Sequence, residues 1–120
     1  KYTKEDTVKV NALNDLFLEY EFSDSLNAYL CLKRASELSQ KISFDKGILR
    51  STLLLGFFAQ DKSNFTEALN NYFNYLRLAE KSGDLFEISS AYENIGLVYY
   101  DLGDYSVALE IFKIEGIVEG

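Results

Sequence analysis

Few residues of this chain could do chemistry, and their types limit what that chemistry could be. The 120 residues include no histidine and a single cysteine, Cys31. Nucleophilic catalysis needs a base beside the attacking hydroxyl or thiol, and histidine is the usual one. Asp101 and Asp104 could together serve acid–base chemistry, but Asp104 follows a glycine and stands where a helix N-cap would be. We therefore expect that the chain is not an enzyme.

The sequence lacks the sets of cysteine and histidine residues that usually bind metal ions. A lone cysteine excludes an internal disulfide and any zinc site built on cysteine pairs. Without histidine, a metal would depend on carboxylates alone, and no Asp-x-Asp-x-Asp-Gly loop of the calcium-binding kind occurs in the sequence. We predict no metal and no cofactor.

The charge is acidic and unevenly distributed. The net charge is −7, and residues 81–120 carry two basic side chains against eight acidic ones. Nucleic-acid binding requires a basic patch, so we expect no nucleic-acid partner. The longest apolar run, residues 53–59, is too short to span a membrane. A cationic or neutral protein partner fits better, although the acidity could also serve solubility alone.

A repeat of forty residues organises the chain. Small residues align with small ones and large apolar residues with large ones, as stacked structural units require. The aligned sets are Ala28, Ala68 and Ala108; Gly56 and Gly96, with Leu16 as the exception in the first unit; Phe17, Phe57 and Leu97; and Leu32, Tyr72 and Phe112. Three units of similar structure are therefore predicted.

The third unit shows most clearly what each unit contains. Apolar residues recur every three or four positions over residues 84–102, which predicts an amphipathic helix. Gly103 then breaks the pattern, and Asp104 caps a second helix that carries Ala108 and Phe112 on one stripe. The same patterns predict helices over about 6–21, 24–42 and 45–61, with Asn64 opening another. The sequence thus predicts an all-α fold of three antiparallel helical hairpins.

The third unit also resembles a known family, the tetratricopeptide repeat. The resemblance is carried by Asn94-Ile95-Gly96, Tyr99, Gly103-Asp104-Tyr105, Ala108-Leu109 and Phe112. It implies a right-handed α-α superhelix, a solenoid of three hairpins forming a single domain over residues 1–120, with repeats at about 6–43, 44–83 and 84–118. The first unit matches less well, because Leu16 replaces the glycine and Asp15 an apolar residue. The long, forty-residue variant resembles arrays in bacterial signalling proteins, including sensor kinases and transcriptional regulators.

The resemblance also implies where a partner would bind. Tetratricopeptide repeats bind peptides along a concave face that is lined mainly by the first helix of each hairpin. The corresponding candidates here are Phe17, Tyr20, Arg50, Leu53, Phe57, Gln60, Asn94, Leu97 and Tyr100. The spacing of Phe17, Leu53 and Phe57 equally fits a buried core, so both interpretations stand at this point.

We therefore expect a protein-interaction scaffold that binds a peptide or helix within a larger signalling or regulatory protein. The acidic charge favours a basic, amphipathic partner segment. The alternative is an architectural spacer or a self-association module, such as a homodimer, whose groove is filled by its own flanking segments. Ile114, Ile117 and Val118 would leave an apolar edge on the last helix. Such an edge is normally covered in a repeat array, so we expect either that the protein continues beyond Gly120 or that two copies cover it.

Overall fold

A computed structural model describes residues 3–120 and contains six α-helices in that range. Their bounds are α1 Lys4–Tyr20, α2 Ser25–Lys41, α3 Asp45–Asp61, α4 Phe65–Ser82, α5 Leu85–Asp101 and α6 Tyr105–Glu119. Residues 3–120 include no strand, which confirms the all-α prediction. The predicted ends of α1, α2, α3 and α5 agree with these bounds to within two residues.

The turns between helices recur at intervals of twenty residues. The backbone φ angle is positive at matching positions in four of them, which are Ser43, Ser63, Gly83 and Gly103. The N–H groups of Gly103 and Asp104 donate to the carbonyls of Tyr100 and Tyr99, each at 2.9 Å, and this left-handed motif closes α5. The Asp104 carboxylate accepts from the Val107 N–H at 3.4 Å. Asp104 therefore caps α6, as predicted.

The chain divides into two compact units. The N-terminal unit is Lys1–Phe58 and the C-terminal unit is Ala59–Gly120. The boundary falls inside α3, so the two units do not coincide with the three repeats predicted at about 6–43, 44–83 and 84–118. Those repeat limits remain a prediction from the sequence.

An apolar cluster holds the N-terminal unit together. α1 packs against α2, and the cluster consists of Phe17, Ala28, Leu32 and Leu54. The Phe17 ring also meets the Phe58 ring nearly edge-on, with centroids 6.1 Å apart and planes at 65°. Burial of each large side chain contributes about 1.5–3 kcal/mol. The cluster is thus the main source of stability that the described contacts give this unit.

One buried polar pair lies beside this cluster. The Ser51 hydroxyl donates to Asn14 Oδ1 at 3.3 Å, and both side chains are fully buried. Asn14 Nδ2 is buried as well and finds no hydrogen-bond partner among residues 3–120. Such an unsatisfied group destabilises a fold by about 1–3 kcal/mol.

Two buried tyrosines anchor α4 in the C-terminal unit. The Tyr72 hydroxyl donates to Gln60 Oε1 and the Tyr75 hydroxyl donates to Glu87 Oε1, each at 2.7 Å. Both rings are fully buried, and the hydrogen bonds satisfy the hydroxyls that burial removes from water. Burial and neighbouring carboxylates raise the pKa of both tyrosines. Each phenol therefore stays neutral and can donate.

The contact between α5 and α6 depends on Gly96. A Cβ atom at this position would lie 2.5 Å from Cε1 of Phe112, well inside the distance that two carbon atoms tolerate. The missing side chain therefore lets the two helices approach. Ala108 serves the same purpose on α6, where it is almost fully buried.

Candidate functional site

The clearest candidate surface is one side of α5, which we call the α5 face and define as Phe86, Glu93, Leu97, Tyr100 and Asp101. All five side chains are exposed. Phe86, Glu93, Leu97 and Tyr100 follow one another at steps of three to seven residues, and Asp101 comes directly after Tyr100. The five lie on one side of the helix over about 23 Å. The opposite side of α5 is buried in the C-terminal unit and carries Ala91, Ile95 and Val98. The α5 face therefore offers a partner apolar and acidic groups in alternation.

A cavity opens at one end of the α5 face, and we call it the α5–α6 pocket. Its volume is about 440 Å³, and it is lined by Leu85, Phe86, Ser89, Ser90, Glu93, Val118 and Glu119. The first turns of α5 and the last turn of α6 form its walls. The large apolar side chains Leu85 and Phe86 are mostly exposed, at 64% and 78%. The pocket thus combines apolar walls with carboxylates.

Carboxylates crowd together at this pocket. The Ser89 hydroxyl donates to Glu119 Oε1 at 2.9 Å, which fixes one carboxylate against α5. Desolvation, a hydrogen bond with Glu119 and the charges of Glu93 and Glu119 raise the pKa of Glu115 to about 7. Desolvation is the largest cause of this shift, and the neighbouring carboxylates add to it because no cation among the described residues compensates them. The electrostatics of the pocket therefore favour a positively charged occupant.

The C-terminal unit contains four of the predicted site residues. Leu97 and Tyr100 lie on the α5 face and are exposed, at 41% and 56%. Asn94 lies beside that face, half-buried, and its amide donates to the Ser90 carbonyl at 2.8 Å. Gln60 accepts from Tyr72 and donates to Asp101 Oδ2 at 3.0 Å. Asn94 and Gln60 therefore position neighbouring groups, whereas Leu97 and Tyr100 are available for contact.

The N-terminal unit contains the other five, and one of them is placed differently from the prediction. Phe17 is fully buried in the core cluster, so it cannot contact a partner, and the core interpretation of its spacing is correct. Leu53 and Phe57 are half-buried, and Phe57 packs against the core cluster. Tyr20 alone among the five is exposed.

The fifth of these residues, Arg50, is held within the unit. Its guanidinium group forms an ion pair with Asp15 at 2.7 Å and is itself half-buried. This pair explains why an acidic residue stands at position 15, where the repeat pattern calls for an apolar one. Arg50 would have to leave Asp15 to meet a partner.

Sequence reasoning missed several residues of the pocket. Phe86 lies eleven positions before Leu97, which is three helical turns to within about 20°, so extending the periodicity of α5 towards its N-terminus would have found it. Ser89 and Glu119 come together through the packing of α5 on α6. No spacing in the sequence indicates that contact, because it joins residues thirty positions apart.

Charge separates the two units sharply. Residues 1–58 contain eight basic and eight acidic side chains, whereas residues 59–120 contain four basic and eleven acidic ones. The entire net charge of −7 therefore belongs to the C-terminal unit, which also carries the α5 face and the α5–α6 pocket. This distribution favours a cationic partner for that unit.

Metal-site and membrane criteria give negative findings over the described range. Among residues 3–120, no three acidic, histidine or cysteine side chains are grouped so as to hold a metal ion. None of the six helices described there combines the length and apolarity that crossing a membrane requires.

Comparison with known proteins identifies the family. A model of the tetratricopeptide repeat matches residues 47–113, more than half of the chain. The chain belongs to the tetratricopeptide repeat family, which confirms the resemblance seen around Gly96 and Ala108. It is accordingly an all-α helical-repeat protein, and proteins of this family act as scaffolds for protein–protein interaction.

One curated relative and the solved structures complete the comparison. The photosystem I assembly protein Ycf3 of Cyanophora paradoxa is 38% identical to this chain over 58 residues, which cover 48% of this chain and 32% of Ycf3. The similarity thus spans about a third of the length of that relative. No solved structure matches the chain significantly.

Proposed function

We propose that the chain is an interaction scaffold that binds a basic, amphipathic peptide or helix on the α5 face, as part of a larger signalling or regulatory protein. The observation that carries this proposal is the alternation of exposed apolar and acidic side chains along α5. Leu97 and Tyr100 offer apolar contacts, and Glu93 and Asp101 stand beside them with negative charge. An amphipathic helix with apolar anchors flanked by Lys or Arg complements this pattern.

The charge of the C-terminal unit supports the same partner. Eleven acidic residues against four basic ones attract a cationic segment and repel an acidic one, which gives specificity as well as faster association. Tyr100 is also suited to a binding surface, since a tyrosine ring offers a large rigid contact at low entropic cost. Its ring lies 5.4 Å, centroid to centroid, from that of Tyr105.

The relative supports a scaffold role in general terms. The name of Ycf3 describes a protein that acts in the assembly of a larger complex. Assembly scaffolds and signalling scaffolds both bind segments of other proteins. We propose the same role for this chain, and its negative charge favours a basic segment over an acidic one.

A peptide titration tests this proposal. A short amphipathic peptide with leucines on one face and arginines or lysines beside them should bind the full chain, and the same peptide with glutamates in place of its cations should not. Glu93→Lys should weaken binding by about tenfold or more, since it replaces attraction by repulsion. Glu80→Lys, at an exposed position on α4, is the matched control and should change affinity little. Equal effects of the two variants would contradict binding on the α5 face.

Self-association is the second candidate function, and α6 is the observation that favours it. Leu109, Ile114 and Ile117 are exposed large apolar residues of this helix, and Ala108 is its one buried residue among those described. Two copies could cover these side chains mutually. Sedimentation velocity over a range of concentrations distinguishes the two functions. A dimer that dissociates on Ile117→Glu would favour self-association. A monomer that binds neither peptide would favour the third interpretation, the architectural spacer.

A further inference from the structure

We propose that the α5–α6 pocket receives the guanidinium group of an arginine from the partner, held between the carboxylates of Glu93 and Glu119 and against the ring of Phe86. This inference rests on the proposed function for the existence of a basic partner segment. It adds which side chain of that segment anchors it, and where. All three receiving residues line the pocket.

The shape and lining of the pocket fit an arginine side chain. A cavity of about 440 Å³ has room for a single long side chain together with some water. Leu85 and Val118 offer apolar walls along which the methylene stem can lie, while the charged head group reaches the carboxylates. An exposed aromatic ring such as Phe86 attracts a cation over its face. The pocket therefore matches an arginine side chain along its length, with apolar walls beside the methylene stem and carboxylates beside the head group.

Arginine fits better than lysine for a geometric reason. Glu93 approaches the pocket from α5 and Glu119 from α6, and the planar guanidinium group can donate to two carboxylates at once while it stacks on a ring. A lysine ammonium group is a point charge and is more strongly hydrated. Ser89 holds Glu119 at 2.9 Å, so one of the two acceptors is fixed before the partner arrives.

The occupant must compensate the charge that the pocket concentrates. Desolvation, a hydrogen bond with Glu119 and the charges of Glu93 on α5 and Glu119 on α6 raise the pKa of Glu115 to about 7. The nearest cation along α6, Lys113, is 3.4 Å from Glu110 instead. An arriving guanidinium group relieves the repulsion and favours the ionised form of Glu115. Binding should therefore strengthen as the pH rises through the pKa of Glu115.

The direct probe is N-acetyl-arginine amide, which carries the side chain without titrating ends. Added to the isotope-labelled full chain, it should shift the NMR signals of Ser89, Ser90 and Val118. N-acetyl-citrulline amide has nearly the same shape but no charge, and it should leave them in place. Equal shifts with both compounds, or none with either, would overturn the inference.

Variants locate the contact and test the pH dependence. Glu93→Gln and Glu119→Gln should each weaken binding of N-acetyl-arginine amide roughly three- to fivefold, the scale of one partly exposed ion pair. Glu110→Gln removes a carboxylate that pairs with Lys113 and should have no effect. Affinity should rise about two- to threefold from pH 6 to pH 8, and this rise should disappear in Glu115→Gln. Similar weakening in all three variants, Glu110→Gln included, would indicate only a general effect of net charge and would contradict the pocket.

The proposed function and this inference fail in different ways. If the amphipathic peptide binds but is insensitive to Glu119→Gln and to replacement of each arginine by citrulline, the α5 face stands and the pocket is wrong. If N-acetyl-arginine amide binds in the pocket but no peptide does, the pocket stands and the basic amphipathic partner is wrong.

Discussion

The N-terminal and C-terminal units use the same positions of the forty-residue repeat in opposite ways. Phe17 and Leu97 are aligned by the repeat, yet Phe17 is completely buried and Leu97 is 41% exposed. Asn14 and Asn94 are aligned too, and the first is fully buried while the second is half-buried. Charge follows the same division, since the C-terminal unit holds all of the net negative charge. A repeat position therefore specifies a place on a helix, and its surroundings decide whether it packs or binds.

The largest expected effect tests this contrast at its extremes. Phe17→Ala should lower the free energy of unfolding by about 3–5 kcal/mol, because it opens a cavity in the core cluster. Leu97→Ala should lower it by less than about 1 kcal/mol, because the side chain is already exposed. Urea denaturation of both variants measures the difference. Similar losses in the two variants would mean that the aligned positions share one environment, contrary to their burial.

A second contrast concerns the closeness of the helices. Gly96→Ala should destabilise the fold by about 1–3 kcal/mol, since the new methyl group would meet the Phe112 ring. Gly116→Ala is the matched control on α6, because the added carbon has no neighbour within 4 Å beyond the adjoining residues and backbone of its own helix. It should stabilise the fold by about 0.5–1 kcal/mol through helix propensity. Thermal melting of the two variants should thus shift in opposite directions, and a shift in the same direction would refute the close contact at Gly96.

A third contrast concerns buried polar groups. The hydroxyls of Tyr72 and Tyr75 are hydrogen-bonded, whereas Asn14 Nδ2 has no partner among the described residues. Ser51→Ala removes the only described partner of Asn14 and should lower the free energy of unfolding by about 1–3 kcal/mol. Combining it with Asn14→Leu should recover most of that loss, because no buried amide is then left unpaired. Chemical denaturation of the single and double variants is the check. A double variant no more stable than Ser51→Ala would argue against the unsatisfied amide.

The smallest expected effect concerns Glu115 on α6 and depends on pH. The folded-state pKa of Glu115, about 7, exceeds its ordinary value of 4.5. Folding therefore favours the protonated form, and the resulting stability is complete below about pH 4.5 and is lost as the pH rises through 7. Glu115→Gln cannot ionise, so it should be more stable than the natural chain at pH 8, by on the order of 0.5 kcal/mol. At pH 4 the two should melt together, and a constant difference across this range would show that charge is not the cause.

Much of the fold follows from local features that a sequence displays. Periodic apolar residues give the helices, and Asn64 and Asp104 give their caps. Small residues recur at the repeat positions of Gly96 and Ala108, and they allow the close contact between α5 and α6. Each of these depends on residues within one or two helical turns, or on a regular repeat, so the sequence is sufficient to predict them.

The site was less predictable because exposure depends on what packs against each helix. Periodicity places Phe17 and Leu97 on equivalent faces and cannot tell which of them is covered. The α5–α6 pocket requires Ser89 and Glu119 to meet across two helices. The raised pKa of Glu115 follows from desolvation and from the carboxylates of Glu119 and Glu93 near it. These features depend on tertiary contacts between residues far apart in the chain.

The central claim is that the α5 face, and not the N-terminal unit, receives a basic amphipathic partner. Residue-resolved NMR of the isotope-labelled chain during titration with such a peptide tests it most directly. We expect the shifted signals to cluster at Glu93, Leu97 and Tyr100 and to leave Tyr20 and Leu53 unmoved. Shifts centred on Tyr20 and Leu53, or no shifts anywhere, would contradict the claim.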